Sequence, residues 1–190
     1  MVRTTNLGSV ALLKTLSPNP NTPSKFQRFF LSLSTQKQRF VFGCRPFIGL
    51  DLKGKFPGVL LASSSIDANF GVFLVEVAIC ETECKDSWAW FLRHLYEHIG
   101  DDNRKMTFIT DRQKGVIDVI KTWWPGSSNR FYVRHIFANL RARNREKNSA
   151  DLVFKAVKCT NKADFDDVMK KMKEGDMDMY NYMSRIPVCH

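Results

Sequence analysis

Apolar residues recur along this chain with two different periods, and the change from one to the other marks its elements. Between residues 45 and 80 the apolar runs are short and broken by turn residues: "RPFIGLD" (45–51), "GVLLASSSIDA" (58–68) and "GVFLVEVAIC" (71–80). The last two are separated by "DANFG", which offers Asp, Asn and Gly for a hairpin. Three runs so closely joined predict an antiparallel meander. From residue 86 the spacing lengthens. "DSWAWFLRHLYEHIG" (86–100) is apolar at 88, 91, 92, 95 and 99, an amphipathic helix with Asp86 or Ser87 as N-cap and Gly100 as stop. "MTFITD" (106–111) predicts a fourth strand, "RQKGVIDVIKTWW" (112–124) a helix ended by Pro125 and Gly126, and "RFYVRH" (130–135) a fifth strand. Residues 150–158 and 163–173 read as closing helices, the second with Asp/Lys pairs at helical spacing.

Upstream, "SPNPNTPS" (17–24) holds three prolines in eight residues and predicts an extended linker. "KFQRFFLSLSTQKQRF" (25–40) predicts a strand with a basic exit. Three strands, helix, strand, helix, strand and closing helices make an α/β chain. A mixed sheet whose first three strands are antiparallel, with later strands added through helices, is the arrangement of the ribonuclease H-like fold. The expected organisation is a basic N-terminal segment with a Pro-rich linker (1–40), the core (41–145) and a C-terminal helical segment (146–190).

Composition sharpens this in two places. A hydrophobic content of 44% with 15 Phe and 4 Trp predicts a packed interior. The 29 Lys and Arg against 19 Asp and Glu give a formal charge of +10, which fits a polyanionic partner such as nucleic acid or, more plainly, a solvated basic face. Residues 1–50 hold seven Lys or Arg and no acid, so most of the excess is N-terminal. Five cysteines without a close-spaced framework predict reduced thiols inside a cell. Lys14 interrupts "VALLKTL", so no secretory signal is predicted, although the acid-free start also fits an organelle transit peptide. No apolar run approaches the ~18 residues of a membrane span.

Two carboxylates stand out. Asp51, the first acidic residue of the chain, closes "PFIGLD", and Asp111 closes "MTFITD". If those strands are neighbours, both carboxylates emerge at one edge of the sheet, where they can share hard divalent cations. Each also has a plainer reading, Asp111 as the cap of the helix that follows and Asp51 as part of a "DLKG" turn.

The run from "CRPFIGLDLKGKFPGVLLASSSIDANFGVFLVEVAICETECKDSWAWFLRHL" through "MTFITDRQKGVIDVIKTWWP" to "RFYVRHIFANLRAR" closely resembles the transposase domain of plant Mutator-like elements, the MULE/MuDR superfamily. The resemblance covers about Asn6 to Pro187. It implies a ribonuclease H-like DDE core that cuts and joins DNA with Mg²⁺ or Mn²⁺, acting in the nucleus, with DNA as partner and self-association as a further option. Asp51 matches the first catalytic and metal-binding Asp and Asp111 the second. The departures are specific. Three residues are missing between Asp51 and "LKG", which could rotate the carboxylate. The family's Cys-x-x-His pair is here Tyr132 and His135, leaving His135 for DNA contact or support of the fold. The third catalytic residue, a Glu, lies in the family downstream of a segment resembling "MSRIPVCH", so the expected state is a truncated, catalytically incomplete domain. A domesticated, non-catalytic DNA- or protein-binding module is the alternative.

Other signals compete for chemistry. Cys80, Cys84, His94 and His98 form a C-x₃-C-x₉-H-x₃-H array, and "HLYEH" (94–98) fits an inverted zinc-peptidase pattern with Glu97 as base. Placing both histidines on the polar side of their helix argues against either. Trp88, Trp123 and Trp124 offer stacking surfaces, although helical spacing favours the core. "RARNREKN" (141–148), with four cations and one acid, is the stronger DNA-contact candidate, giving Arg141, Arg143, Arg145 and Lys147 beside His135.

Overall fold

The computed structural model describes residues 5–188 apart from 18, 20, 57, 101–103, 112–114 and 144–148. The chain divides into two compact units, 1–129 and 130–190. A seven-stranded sheet is built from β1 (Val10–Leu16), β2 (Lys25–Ser32), β3 (Phe47–Phe56), β4 (Gly58–Ile66), β5 (Val72–Cys80), β6 (Thr107–Thr110) and β7 (Ser128–Phe131), in the order β1-β2-β5-β4-β3-β6-β7. Helices α1 (Ser34–Gly43), α2 (Lys85–Ile99) and α3 (Val116–Trp123) belong to the first unit. The second holds α4 (Val133–Arg143), α5 (Ser149–Lys158), α6 (Lys162–Gly175) and α7 (Met177–Ser184).

The predicted meander is observed: β4 pairs antiparallel with both β3 and β5. Strand β6, reached through α2, joins β3 in parallel, which makes the sheet mixed. Four elements differ from expectation. The basic segment 1–40 contributes β1 and β2 to the same sheet, β2 pairing with β5 through Phe29↔Ile79 and Leu31↔Val77. The end of that segment is helical rather than an extended exit, and α1 buries only Phe40, too weak an apolar stripe to register as a period. Strand β3 does not stop at Asp51 but runs on to Phe56, with Leu52 and Lys53 paired to Leu61 and Leu60. Strand β7 ends at Phe131, and the residues expected to extend it start α4, because Ile136 and Leu140 bury one helical turn apart.

The core of the first unit lies between the sheet and the helices. Ile48, Leu61, Val75, Ala78 and Phe108 from the strands meet Phe91, Leu92, Leu95 and Ile120 from α2 and α3, all of them sealed from solvent. Each such side chain contributes about 1.5–3 kcal/mol by leaving water. Trp88 and Trp124 belong to this core as their spacing predicts, and Trp124 lies 4.9 Å from Phe108 and 5.2 Å from Tyr96, centroid to centroid. The second unit has its own core of Ile136, Leu140, Val153, Met169, Met172, Met179, Tyr182 and Met183.

The predicted N-cap of α2 shifts by two residues. Cys84 is the cap, its Sγ facing the N3 backbone while Ser87 Oγ accepts from the Cys84 backbone N–H at 3.0 Å, and Gly100 closes the helix as expected. Asp86 is drawn away from capping by Arg28, whose Nη2 donates to Asp86 Oδ2 at 2.6 Å.

Candidate active site

The two candidate carboxylates belong to neighbouring strands: Asp51 lies within β3, and Asp111 directly follows β6. Strand β3 pairs in parallel with β6 through Phe47↔Thr107, Ile48↔Phe108 and Gly49↔Ile109, a constant offset of sixty residues. Two residues beyond the last pair, the same offset counts from Asp51 within β3 to Asp111, the residue that follows the end of β6 at Thr110. Alternation then fixes the face of Asp51. Ile48 and Leu50 on β3, and Phe108 on β6, point into the core, so Asp51 lies on the opposite face of the sheet, while Asp111 follows the last residue of β6. Both are half-buried.

Neither plain reading of these residues holds. Asp51 is not in a turn: it sits within β3, opposite Ala62 of β4. Asp111 is not the cap of α3, which is Gly115 in a left-handed conformation. The deletion expected to rotate Asp51 therefore falls where there is no loop, and Leu52 simply continues the strand.

A third acidic residue that sequence reasoning passed over lies at the same edge. Glu83, in the connection from β5 to α2, accepts a hydrogen bond from the indole N–H of buried Trp88 at 3.4 Å. Burial pushes its carboxyl above the ordinary range, the indole opposes that, and the negative charge of Asp111 adds to it. Steric contact draws the same two connections together, since a Cβ at Gly115 would meet the Lys85 side chain at 3.3 Å. Gly115, the N-cap of α3, thus lies beside Lys85 in the first turn of α2. The signal in the sequence was the spacing of Glu83 and Trp88, five residues apart across a helix start, a pattern with no standard motif.

One carboxylate within β3 and another directly after β6 suit a hard cation such as Mg²⁺, which takes one or two protein carboxylates and keeps water or phosphate oxygens for its other positions. Among the described residues, no group of three or more His, Cys, Asp or Glu side chains could hold a metal ion. The members of the zinc array are each engaged elsewhere. His98 is not on a polar helix face: it is 7% exposed and hydrogen-bonds Glu76 and Ser32, while His94 packs against Phe30 and Trp90 and pairs with Glu97. Cys80 is sealed in the core, where burial pushes its thiol up to about 11.

The candidate DNA contacts are placed unevenly. His135 lies on the exposed surface of α4, not at a strand end, with its ring 5.7 Å from that of Tyr132. Arg141 is exposed near the end of the same helix, and Arg143 is its last residue. Arg145 and Lys147 lie outside the described residues. The helix adds a cation that the basic run did not include: Arg134 and Arg141, two turns apart with the small Ala138 between them, make one exposed stripe. No helix among the described residues is long and apolar enough to cross a membrane.

Comparison with known proteins bears on this geometry directly. Residues 51–139 match the family model of the MULE transposase domain. The matched span contains Asp51, Glu83, Asp111 and His135. A search of the curated proteins finds no match.

Proposed function

We propose that this chain is a transposase-derived module of the MULE type whose ribonuclease H-like core holds Mg²⁺ or Mn²⁺ between Asp51 and Asp111 and acts on DNA in the nucleus. The observation that supports the reading is the parallel pairing of β3, which carries Asp51, with β6, which Asp111 follows, inside the span that matches the transposase domain.

A divalent cation bound there polarises a scissile phosphate and lowers the pKa of an attacking water. The chain's own residues do the rest. Asp51, hydrogen-bonded into the sheet through β4, and Asp111, at the end of β6, set the two donor positions. Glu83 deepens the negative field at Asp111, and the α4 stripe of Arg134 and Arg141 offers phosphate contacts in the second unit. Self-association on DNA is a further part of this reading.

Calorimetric titration with Mn²⁺ and Mg²⁺ tests this reading. The wild-type chain is expected to bind either ion, Asp51→Asn/Asp111→Asn to bind neither, and nicking of duplex DNA, where present, to disappear in the double variant. Binding unchanged in that variant would sink the metal assignment. DNA binding that persists in chelator without cleavage would favour the non-catalytic module. Sedimentation with and without DNA reports self-association.

A further inference from the structure

The tip of the β4–β5 hairpin carries an aromatic ring that the fold itself does not use. Asp67 organises this turn: its Oδ1 accepts from the backbone N–H of Asn69 at 3.0 Å and of Gly71 at 2.8 Å, and Arg39 donates to its Oδ2 at 2.8 Å. Its backbone N–H donates to the Gly71 carbonyl at 3.0 Å. Gly71 has no room for a side chain, since a Cβ would stand 3.0 Å from Asp67 Oδ2. The turn is therefore held rigidly.

On that turn Phe70 adopts φ +62°, the one non-glycine residue with positive φ among the described residues. A left-handed phenylalanine costs free energy that glycine in its place would not. Burial does not offset the cost, because Phe70 is 70% exposed. Strain kept at an exposed position points to a role outside the fold.

The surroundings define what such a ring could meet. The Arg45 guanidinium carbon lies 4.6 Å from the Phe70 ring centroid, and that of Arg39 lies 4.9 Å from the Phe73 centroid. Arg39 is partly engaged by Asp67, so Arg45 supplies most of the positive charge. Val72, 74% exposed and two residues after Phe70, extends the apolar area. Aromatic rings faced by guanidinium groups fit a partner that is flat and anionic at once. An acidic peptide brings charge without a planar face; an unpaired nucleotide brings both.

We propose that Phe70 and Arg45 form a stacking site for an unpaired nucleotide of DNA, with Phe70 taking the base and Arg45 the phosphate. Six residues separate Arg45 from Asp51, about 20 Å of extended chain, so the site, just ahead of the start of β3, is distinct from Asp51 in the middle of that strand. The proposal rests on DNA as the partner and does not depend on a metal at Asp51 and Asp111.

Fluorescence anisotropy with a short labelled oligothymidylate tests it on the full chain. The wild-type chain and Phe70→Tyr are expected to bind alike. Phe70→Gly should bind at least about fivefold more weakly, with an unchanged or higher melting temperature because the φ strain is gone. Arg45→Ala should also weaken binding and reduce the slope of log affinity against log salt by about 0.7. Equal affinity in Phe70→Gly and Arg45→Ala, or no single-strand binding by the wild-type chain, would overturn the proposal. A fall in melting temperature for Phe70→Gly would do so too, by returning the ring to the fold. Mn²⁺ titration of the same variants separates the two readings. Normal Mn²⁺ binding with unaltered oligonucleotide affinity removes only the stacking site, whereas lost oligonucleotide affinity without Mn²⁺ binding by the wild-type chain removes only the metal assignment.

Discussion

His98 on α2 and Glu76 on β5 share a hydrogen bond of 2.9 Å although they are only 7% and 1% exposed. Ser32 on β2 joins them, donating to Glu76 Oε1 at 2.7 Å with its Oγ 2.6 Å from His98 Nδ1. His98 Nε2 lies 3.3 Å from the Gly8 carbonyl, so the cluster ties α2 to two strands and to the segment ahead of β1. Burial pushes the Glu76 carboxyl up to about 7, against the opposing pull of His98, Ser32 and the charge of Lys37.

A pH dependence follows from that carboxyl. Its folded value lies above the ordinary 4.5, so the folded state holds the proton more tightly than the unfolded chain. The resulting stabilisation is fully present below about pH 4.5 and is lost as pH rises through about 7. Urea unfolding across that window should show the wild-type chain losing about 1–3 kcal/mol relative to Glu76→Gln, which has no proton to lose. Parallel curves for the two proteins would mean that Glu76 is ionised throughout.

Arg28 gives the opposite sign through its partner. Its side chain, 2% exposed, pairs with Glu81 and Asp86, and the hydrogen bond from Arg28 holds Glu81 at about 2. Glu81 therefore contributes stability that is present above about pH 4.5 and lost as pH falls towards 2. Both acids keep access to water, with side chains 39% and 79% exposed, so removing the cation leaves them solvated. Arg28→Met should cost about 1–3 kcal/mol in urea unfolding, below the usual cost of stranding a fully buried charge.

The Glu83 carboxyl should respond to the charge of Asp111. Replacing Asp111 with Asn removes one of the causes holding the Glu83 carboxyl up and leaves its burial unchanged. Carboxyl-detected NMR titration should then show the Glu83 midpoint moving down without reaching the solvent value. A midpoint that stays put would separate the two groups.

Two glycines with positive φ should respond differently to alanine. Gly100, at φ +77° and ψ −177°, has nothing within 4 Å of its would-be Cβ, but its conformation is one that only glycine adopts readily, so Gly100→Ala should cost about 2–3 kcal/mol in backbone strain alone. Gly115, at φ +91°, also meets the Lys85 stem at 3.3 Å. Gly115→Ala, in the left-handed region with a flexible neighbour, should cost less, about 1–2 kcal/mol. Paired melting measurements test both.

Much of the sheet was legible because its central strands are buried on at least one face and bounded by turn residues. "DANFG" marked the hairpin at Asp67, and the stop at Gly100 was plain. Asp51 was found through its apolar run, but its place within the strand was not, because Leu52 and Lys53 read as the start of a turn until Leu61 and Leu60 are seen opposite them. Strand β1 was missed because Lys14 and Thr15 break its pattern and its far half is exposed. His98 was assigned to solvent because helical spacing alone cannot reveal that a buried acid waits across the interface. Glu83 escaped notice for a related reason: its significance comes from Trp88 and Asp111, which only the folded chain brings near.

Strand β3 lies between β4 on one side and β6 on the other, and Asp51 is in the middle of it. Amides so placed exchange with solvent only when the whole sheet opens, so this carboxylate rides on the part of the molecule that yields last. No hinge or loop closure can swing it into or out of position. Under the proposed function, control would act on delivery, by governing when a cation and a strand of DNA reach a carboxylate whose position the sheet already fixes.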